Sequence, residues 1–217
     1  SKLNIIMDAA SDNGAQIIRF NKITPTYSQN HTDIGDSNIN DITVSNGRLD
    51  VGMYSEMKGG KLSISGEKAV FSAISNEAGG SDVGNVLFAE GEWSSGKIVI
   101  DIENESSYDK IAFDGTLSKT GENISIEFLF DANSMSELIQ SSETDSFILS
   151  DAITYAEGSS IEGTVLNGIY DGIKWEAVFG DTSMNVSFTN IPEPSLISAI
   201  FALATIPMLF AKRRRLF

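Results

Sequence analysis

Ile98-Val99-Ile100-Asp101-Ile102-Glu103 places isoleucine at every second position, with Val99, Asp101 and Glu103 between them. Apolar residues that recur with a period of two turn one face inward as a β-strand, because successive side chains leave a pleated backbone on opposite sides. The alternation returns in Ile124-Ser-Ile-Glu-Phe-Leu-Phe130 and in Trp175-Glu-Ala-Val-Phe179. Further strands are predicted near Leu3 to Met7, Gln16 to Phe20, Lys68 to Ile74, Val86 to Trp93, Lys110 to Leu117 and Met184 to Phe188, punctuated by Gly, Asn, Asp and Ser. Helix is scarce: Ser134-Met-Ser-Glu-Leu-Ile-Gln140 predicts two turns, with Ser134 as N-cap and Glu137 as its capping-box partner. The body therefore reads as all-β.

A short phrase recurs along these strands. Gly47-Arg-Leu-Asp-Val51, Gly60-Lys-Leu-Ser-Ile64 and Gly96-Lys-Ile-Val-Ile100 share the form Gly, basic, aliphatic, any, aliphatic, at spacings of 13 and 36 residues. Stacked repeat folds tolerate uneven spacing because insertions sit in the turns. The stretch Ile42 to Val51, followed by Gly59 to Phe71, resembles the passenger repeats of autotransporter-type proteins. That resemblance implies a parallel β-helix, or its C-terminal part. The alternation fits an antiparallel β-sandwich of hairpins equally well, and both architectures stay open at this point.

Composition narrows the function classes. The 217 residues carry 30 acidic and 15 basic side chains, a net charge of −15, and leaving out Glu193 and Lys212, Arg213, Arg214 and Arg215 makes it 29 against 11, or −18. Binding to nucleic acid or to anionic lipid needs clustered cations, so neither suits this body. With no cysteine, disulfides, thiol catalysis and cysteine-bound zinc are all excluded.

The C-terminal end has a different character. Pro192-Glu193-Pro194 is followed by an uncharged run from Leu196 to Ala211 and then by Lys212-Arg213-Arg214-Arg215. As a helix the run would reach about 24 Å, short of a hydrocarbon core of roughly 30 Å. A locally thinned bilayer and snorkelling cations make such a span workable. The basic cluster favours the cytoplasmic side, which leaves the body outside. Pro192 and Pro194 keep the preceding segment extended and open to an enzyme.

This arrangement resembles the PEP-CTERM sorting signal. The resemblance implies export, recognition of Pro192, Glu193 and Pro194 by an exosortase (a membrane transpeptidase), transient residence in the inner membrane, and transfer to the cell surface or the exopolysaccharide matrix. Pro207 inside the span, and Ala and Ser where glycines are usual, depart from the pattern. Residues 1–190 are thus expected to form an exported β-rich domain, trimmed at its N-terminus or the end of a longer protein, and residues 191–217 the sorting signal, with a transmembrane helix over 196–211 and a basic stop over 212–215.

The remaining chemistry is sparse. Asp101, Glu103 and Glu105, and Glu90 with Glu92 beside Trp93, suggest paired carboxylates of the kind glycoside hydrolysis needs, although no spacing is imposed on them. Solvated strand edges are the plainer reading. Asp36, Asn38 and Asn40 resemble the opening of a calcium loop, but Asp41 stands where glycine belongs and Gly47 where a bidentate Glu belongs, so a polar turn is expected. His31 is the sole histidine and has no nucleophile elbow to serve. Phe71, Phe88, Trp93, Phe128, Phe130, Trp175 and Phe179 fall on apolar phases and are expected in the core. The expectation is a non-enzymatic, cofactor-free surface or matrix protein with a structural or adhesive role. A carbohydrate-binding module or glycoside hydrolase delivered by the same signal is the alternative.

Overall fold

Twenty consecutive residues, Asn85–Asn104, form one strand, β6, and the rest of the fold is arranged around it. Drawn out straight it would run about 66 Å at roughly 3.3 Å per residue. Register shifts in its pairings fall between Met57 and Lys61 of one neighbour and between Trp93 and Ser95 of β6 itself. Gly96 takes φ +89°, and a Cβ there would lie 2.6 Å from the Gly66 carbonyl oxygen and 2.7 Å from that of Ala69, so only glycine fits at this position.

The computed structural model describes residues 3–8, 17–20, 39–51, 55–73 and 83–191. Before β6 come β1 (Leu3–Asp8), β2 (Ile17–Phe20), β3 (Ile39–Val51), β4 (Ser55–Ile64) and β5 (Ala69–Ser72). After it come β7 (Ser107–Tyr108), β8 (Lys110–Phe113), β9 (Leu117–Leu129), α1 (Ala132–Ser141), β10 (Phe147–Thr154), β11 (Val165–Tyr170), β12 (Ile173–Phe179) and β13 (Ser183–Asn190). The all-β expectation holds.

From β1 to β9 the neighbours run parallel, apart from the short β6–β7 pair, and they line up in three columns. In one, Ile42, Leu62, Gly91 and Leu117 stand side by side on β3, β4, β6 and β9. In the second, Leu49, Phe71, Ile98 and Ile126 do so on β3, β5, β6 and β9. In the third, Val86 and Ile111 of β6 and β8 align with Ile153 of β10. β6 belongs to all three. The residues named in these columns are buried, and full burial of a large apolar side chain contributes about 1.5–3 kcal/mol relative to exposure. Phe88 stacks on Phe113 with centroids 5.7 Å apart and meets Phe71 edge-on at 5.8 Å.

Antiparallel pairing takes over at the C-terminal side, where β10, β13, β12 and β11 lie in that order. This sheet packs its inner face on the parallel strands: Phe128 of β9 meets Trp175 at 5.0 Å and Phe188 at 5.3 Å, and Trp93 meets Phe179 at 6.5 Å. Hairpin pairing throughout, as a sandwich requires, does not describe residues 39–129.

Several local expectations are corrected. Lys110 to Leu117 is not one strand: the Asp114 and Gly115 N–H groups donate to the carbonyls of Phe88 and Ala89, and the chain turns there between β8 and β9. The helix is capped by Asp131, whose Oδ1 accepts the Ser134 N–H at 2.8 Å and the Ser134 hydroxyl at 2.9 Å. A carboxylate one turn upstream outcompetes the Ser134 hydroxyl for the free helix N–H groups. Val99, expected outside, is buried beside Ser72 and in line with Asp50 of the neighbouring strands. Among the described residues no helix is long and apolar enough to cross a membrane. The helix expected over 196–211 lies outside them.

Candidate functional site

Pro192, Glu193, Pro194, Lys212, Arg213, Arg214 and Arg215, the residues expected to form a sorting signal, also lie outside the described residues, as do His31, Asp36 and Asn38. Asn40 falls within β3, for which only its backbone is described. The described chain ends at Ile191, whose N–H donates to the Gly172 carbonyl at 2.9 Å. Ile191 therefore sits beside the turn that joins β11 to β12.

The acidic residues are not gathered into a cleft. Glu92 accepts Lys61 Nζ at 2.5 Å across the β4–β6 pair and the Thr120 hydroxyl at 3.4 Å on the next strand. The Lys61 backbone N–H in turn donates to Asp41 at 3.0 Å. These contacts tie β3, β4, β6 and β9 together along one outer face. The Lys61 hydrogen bond holds the Glu92 carboxyl below its ordinary range, and the same bond raises the Lys61 amine. Lys97 and Glu127 repeat the arrangement between β6 and β9 at 2.6 Å. Glu90 is exposed, Glu103 accepts the Ser107 hydroxyl at 2.9 Å, and Glu105 is exposed at the turn into β7.

Two buried aspartates escaped the sequence reading. Asp109 is fully buried, and its Oδ1 and Oδ2 accept the backbone N–H groups of Gly84 at 2.7 Å and Asp101 at 2.9 Å. Burial pushes its carboxyl up to about 8, against the two N–H donors that pull it down. Asp50 is 1% exposed and takes Arg48 Nε at 2.6 Å. No side-chain pattern marks Asp109, because both of its donors are main-chain groups.

The aromatic side chains sit where the alternation put them. Phe71, Phe88, Trp93, Phe128, Trp175 and Phe179 are buried, and Phe130 is half-buried against Tyr170 at 5.1 Å. Among the described residues no three histidine, aspartate or glutamate side chains are arranged to hold a metal ion.

The free edge of β9 is closed by two hydroxyls. Ser159 Oγ accepts the Leu117 N–H at 3.0 Å, and Ser160 Oγ accepts the Lys119 N–H at 2.9 Å while donating to the Lys119 carbonyl at 3.3 Å. A loop thereby does for part of β9 what a further parallel strand would do. The described geometry defines an all-β body with ion-paired outer columns and a closed C-terminal side. No known family, curated protein or solved structure matches the chain.

Proposed function

We propose that this chain is an exported cell-surface or exopolysaccharide-matrix protein with a structural or adhesive role, sorted and cleaved by an exosortase at its C-terminal signal. The observation that carries this reading is the order Pro192-Glu193-Pro194, uncharged run to Ala211, then Lys212 to Arg215. The three elements supply, in turn, an extended segment open to an enzyme, a short span and a cationic stop.

We further propose that residues 39–129 wind as turns of a parallel β-solenoid, closed at the C-terminal side by the antiparallel strands. The three columns of parallel pairs support this, as does the spacing of laterally paired residues: Val44 to Ile64 is 20 positions and Ile64 to Trp93 is 29. Such a body stacks neighbour on neighbour and offers long, flat sides. Its outer columns carry lysine–glutamate pairs in a chain of net charge −15, a surface suited to hydrated polysaccharide and cations rather than to nucleic acid. The carboxylates weighed for hydrolysis are engaged with Lys61 and Ser107 in the case of Glu92 and Glu103, which favours the non-hydrolytic reading.

Replacing Pro192-Glu193-Pro194 by three alanines tests the sorting step. The variant is expected to remain in the membrane fraction while the native chain is released or surface-linked. Equal release of both contradicts the proposal.

A further inference from the structure

The outermost strand of the antiparallel sheet, β11, ends the described sheet and has no neighbour beyond it among the described residues. Its six residues, Val-Leu-Asn-Gly-Ile-Tyr, carry no charge and no proline in a chain of net charge −15. Natural edge strands are usually blunted by lysine, proline or a bulge, because an open row of N–H and C=O groups templates a further strand. β11 has none of these.

Its hydrogen-bonding phase follows from the pairing. The Phe179 N–H donates to the Thr164 carbonyl, and Tyr170 faces Ile173 across the two-residue turn Asp171-Gly172, both at positive φ. In an antiparallel ladder the paired residues alternate. Residues 164, 166, 168 and 170 therefore bond toward β12, and Val165, Asn167 and Ile169 aim their N–H and C=O groups at the free edge. The side chains of those three residues also stand on the outer face, Val165 50% and Ile169 68% exposed. On the inner face Gly168 lies against Trp175, where a Cβ would be 2.5 Å from Cζ2.

We propose that β11 is an interaction surface for a second copy of this chain, which adds its own β11 antiparallel across a two-fold axis at Asn167. The strand is self-complementary in that register. Val165 falls opposite Ile169 of the other copy on both sides of the axis, an apolar cross-strand pair, and Asn167 falls opposite its own mate. Roughly six main-chain hydrogen bonds close the edge. Glu162 and Asp171, which flank the strand, fall opposite Gly172 and Gly163 of the other copy rather than opposite acids. Their charges still lie near one another diagonally, so association strengthens as salt rises.

Sedimentation of the full chain in nonionic detergent micelles tests this. A concentration-dependent dimer is expected, tighter at high salt. Asn167→Pro removes an N–H that points away from β12, and Ile169→Lys adds a charge to the edge; each is expected to give a monomer with an unchanged far-ultraviolet circular dichroism spectrum. Because the chain has no cysteine, Asn167→Cys is expected to form a disulfide dimer under mild oxidant, and Asn185→Cys, on the same face but two strands away, is not. A native chain that stays monomeric overturns the proposal, as does a dimer that survives both edge substitutions or crosslinking that is no faster at 167 than at 185.

Discussion

The Asp109 carboxyl accepts the Gly84 N–H at 2.7 Å, so a fully buried side chain on the segment entering β8 holds the residue that leads into β6. Its second oxygen takes the Asp101 N–H, and its own N–H donates to the Asp101 carbonyl at 2.9 Å. Asp109→Ala leaves two main-chain donors without this partner, each worth about 1–3 kcal/mol when buried. Urea unfolding is expected to show a loss of that order, while Asp109→Asn, which keeps an acceptor oxygen, loses less.

The same residue sets a pH dependence. Its folded value of about 8 lies above the ordinary carboxylate value, so between the two the folded state holds a proton that the unfolded state has lost. Its contribution is fully present in acid, below the ordinary value, and is lost as pH rises through about 8. Glu92 has the opposite sign: its value is lowered by Lys61, so its contribution is present above the ordinary carboxylate range and fades as pH falls. Thermal melts across pH 5 to 9 are expected to show stability declining with pH in the native chain and a flatter profile in Asp109→Asn. A native profile as flat as the variant's contradicts the assignment.

Lys61→Met tests how much the outer ion pairs matter. Both partners are about two-fifths exposed, at 39% and 40%, and pairs this open contribute about 0–1 kcal/mol. The expected change in unfolding free energy is under about 1 kcal/mol and shrinks at high salt.

Gly96→Ala and Gly158→Ala separate backbone strain from crowding. Gly158 has φ +81° and no atom within 4 Å of the place a methyl group would take, whereas Gly96 adds the Gly66 and Ala69 carbonyls at under 3 Å. Left-handed strain alone costs about 1–2 kcal/mol. Chemical denaturation is expected to put Gly158→Ala near that figure and Gly96→Ala clearly beyond it.

Trp93 offers a test with an unusual sign. Its Nε1 is buried and has no hydrogen-bond partner, and an unmet donor of this kind costs about 1–3 kcal/mol. Trp93→Phe removes that cost while opening a small void, so it is expected to lie near neutral, against a loss of about 3–5 kcal/mol for Trp93→Ala. Equal losses for both would show that the indole N–H is satisfied in solution.

Strand faces were legible wherever one side is polar. Ile124-Ser-Ile-Glu-Phe announces its register because Ser125 and Glu127 face outward, and Trp175 to Phe179 does so through Glu176 although Val178 is exposed beside it. β11 was missed: Asn167 and Gly168 interrupt its apolar residues, and Gly168 is there to admit the Trp175 ring. The three glycines of the repeated phrase do not share one backbone environment. Gly47 and Gly96 both have positive φ and fall in one lateral register through Ala69, whereas Gly60 precedes the separate register of Lys61 to Ile64. The buried role of Asp109 was invisible, since main-chain donors leave no trace in side-chain patterning.

Intact-mass analysis of the mature protein recovered from the surface or medium of its native host tests the central claim most directly. The account predicts a mass that ends near Pro192-Glu193-Pro194, without the run to Ala211 and the cluster Lys212 to Arg215. Recovery of the mature form with its sequence intact through Phe217 would contradict it.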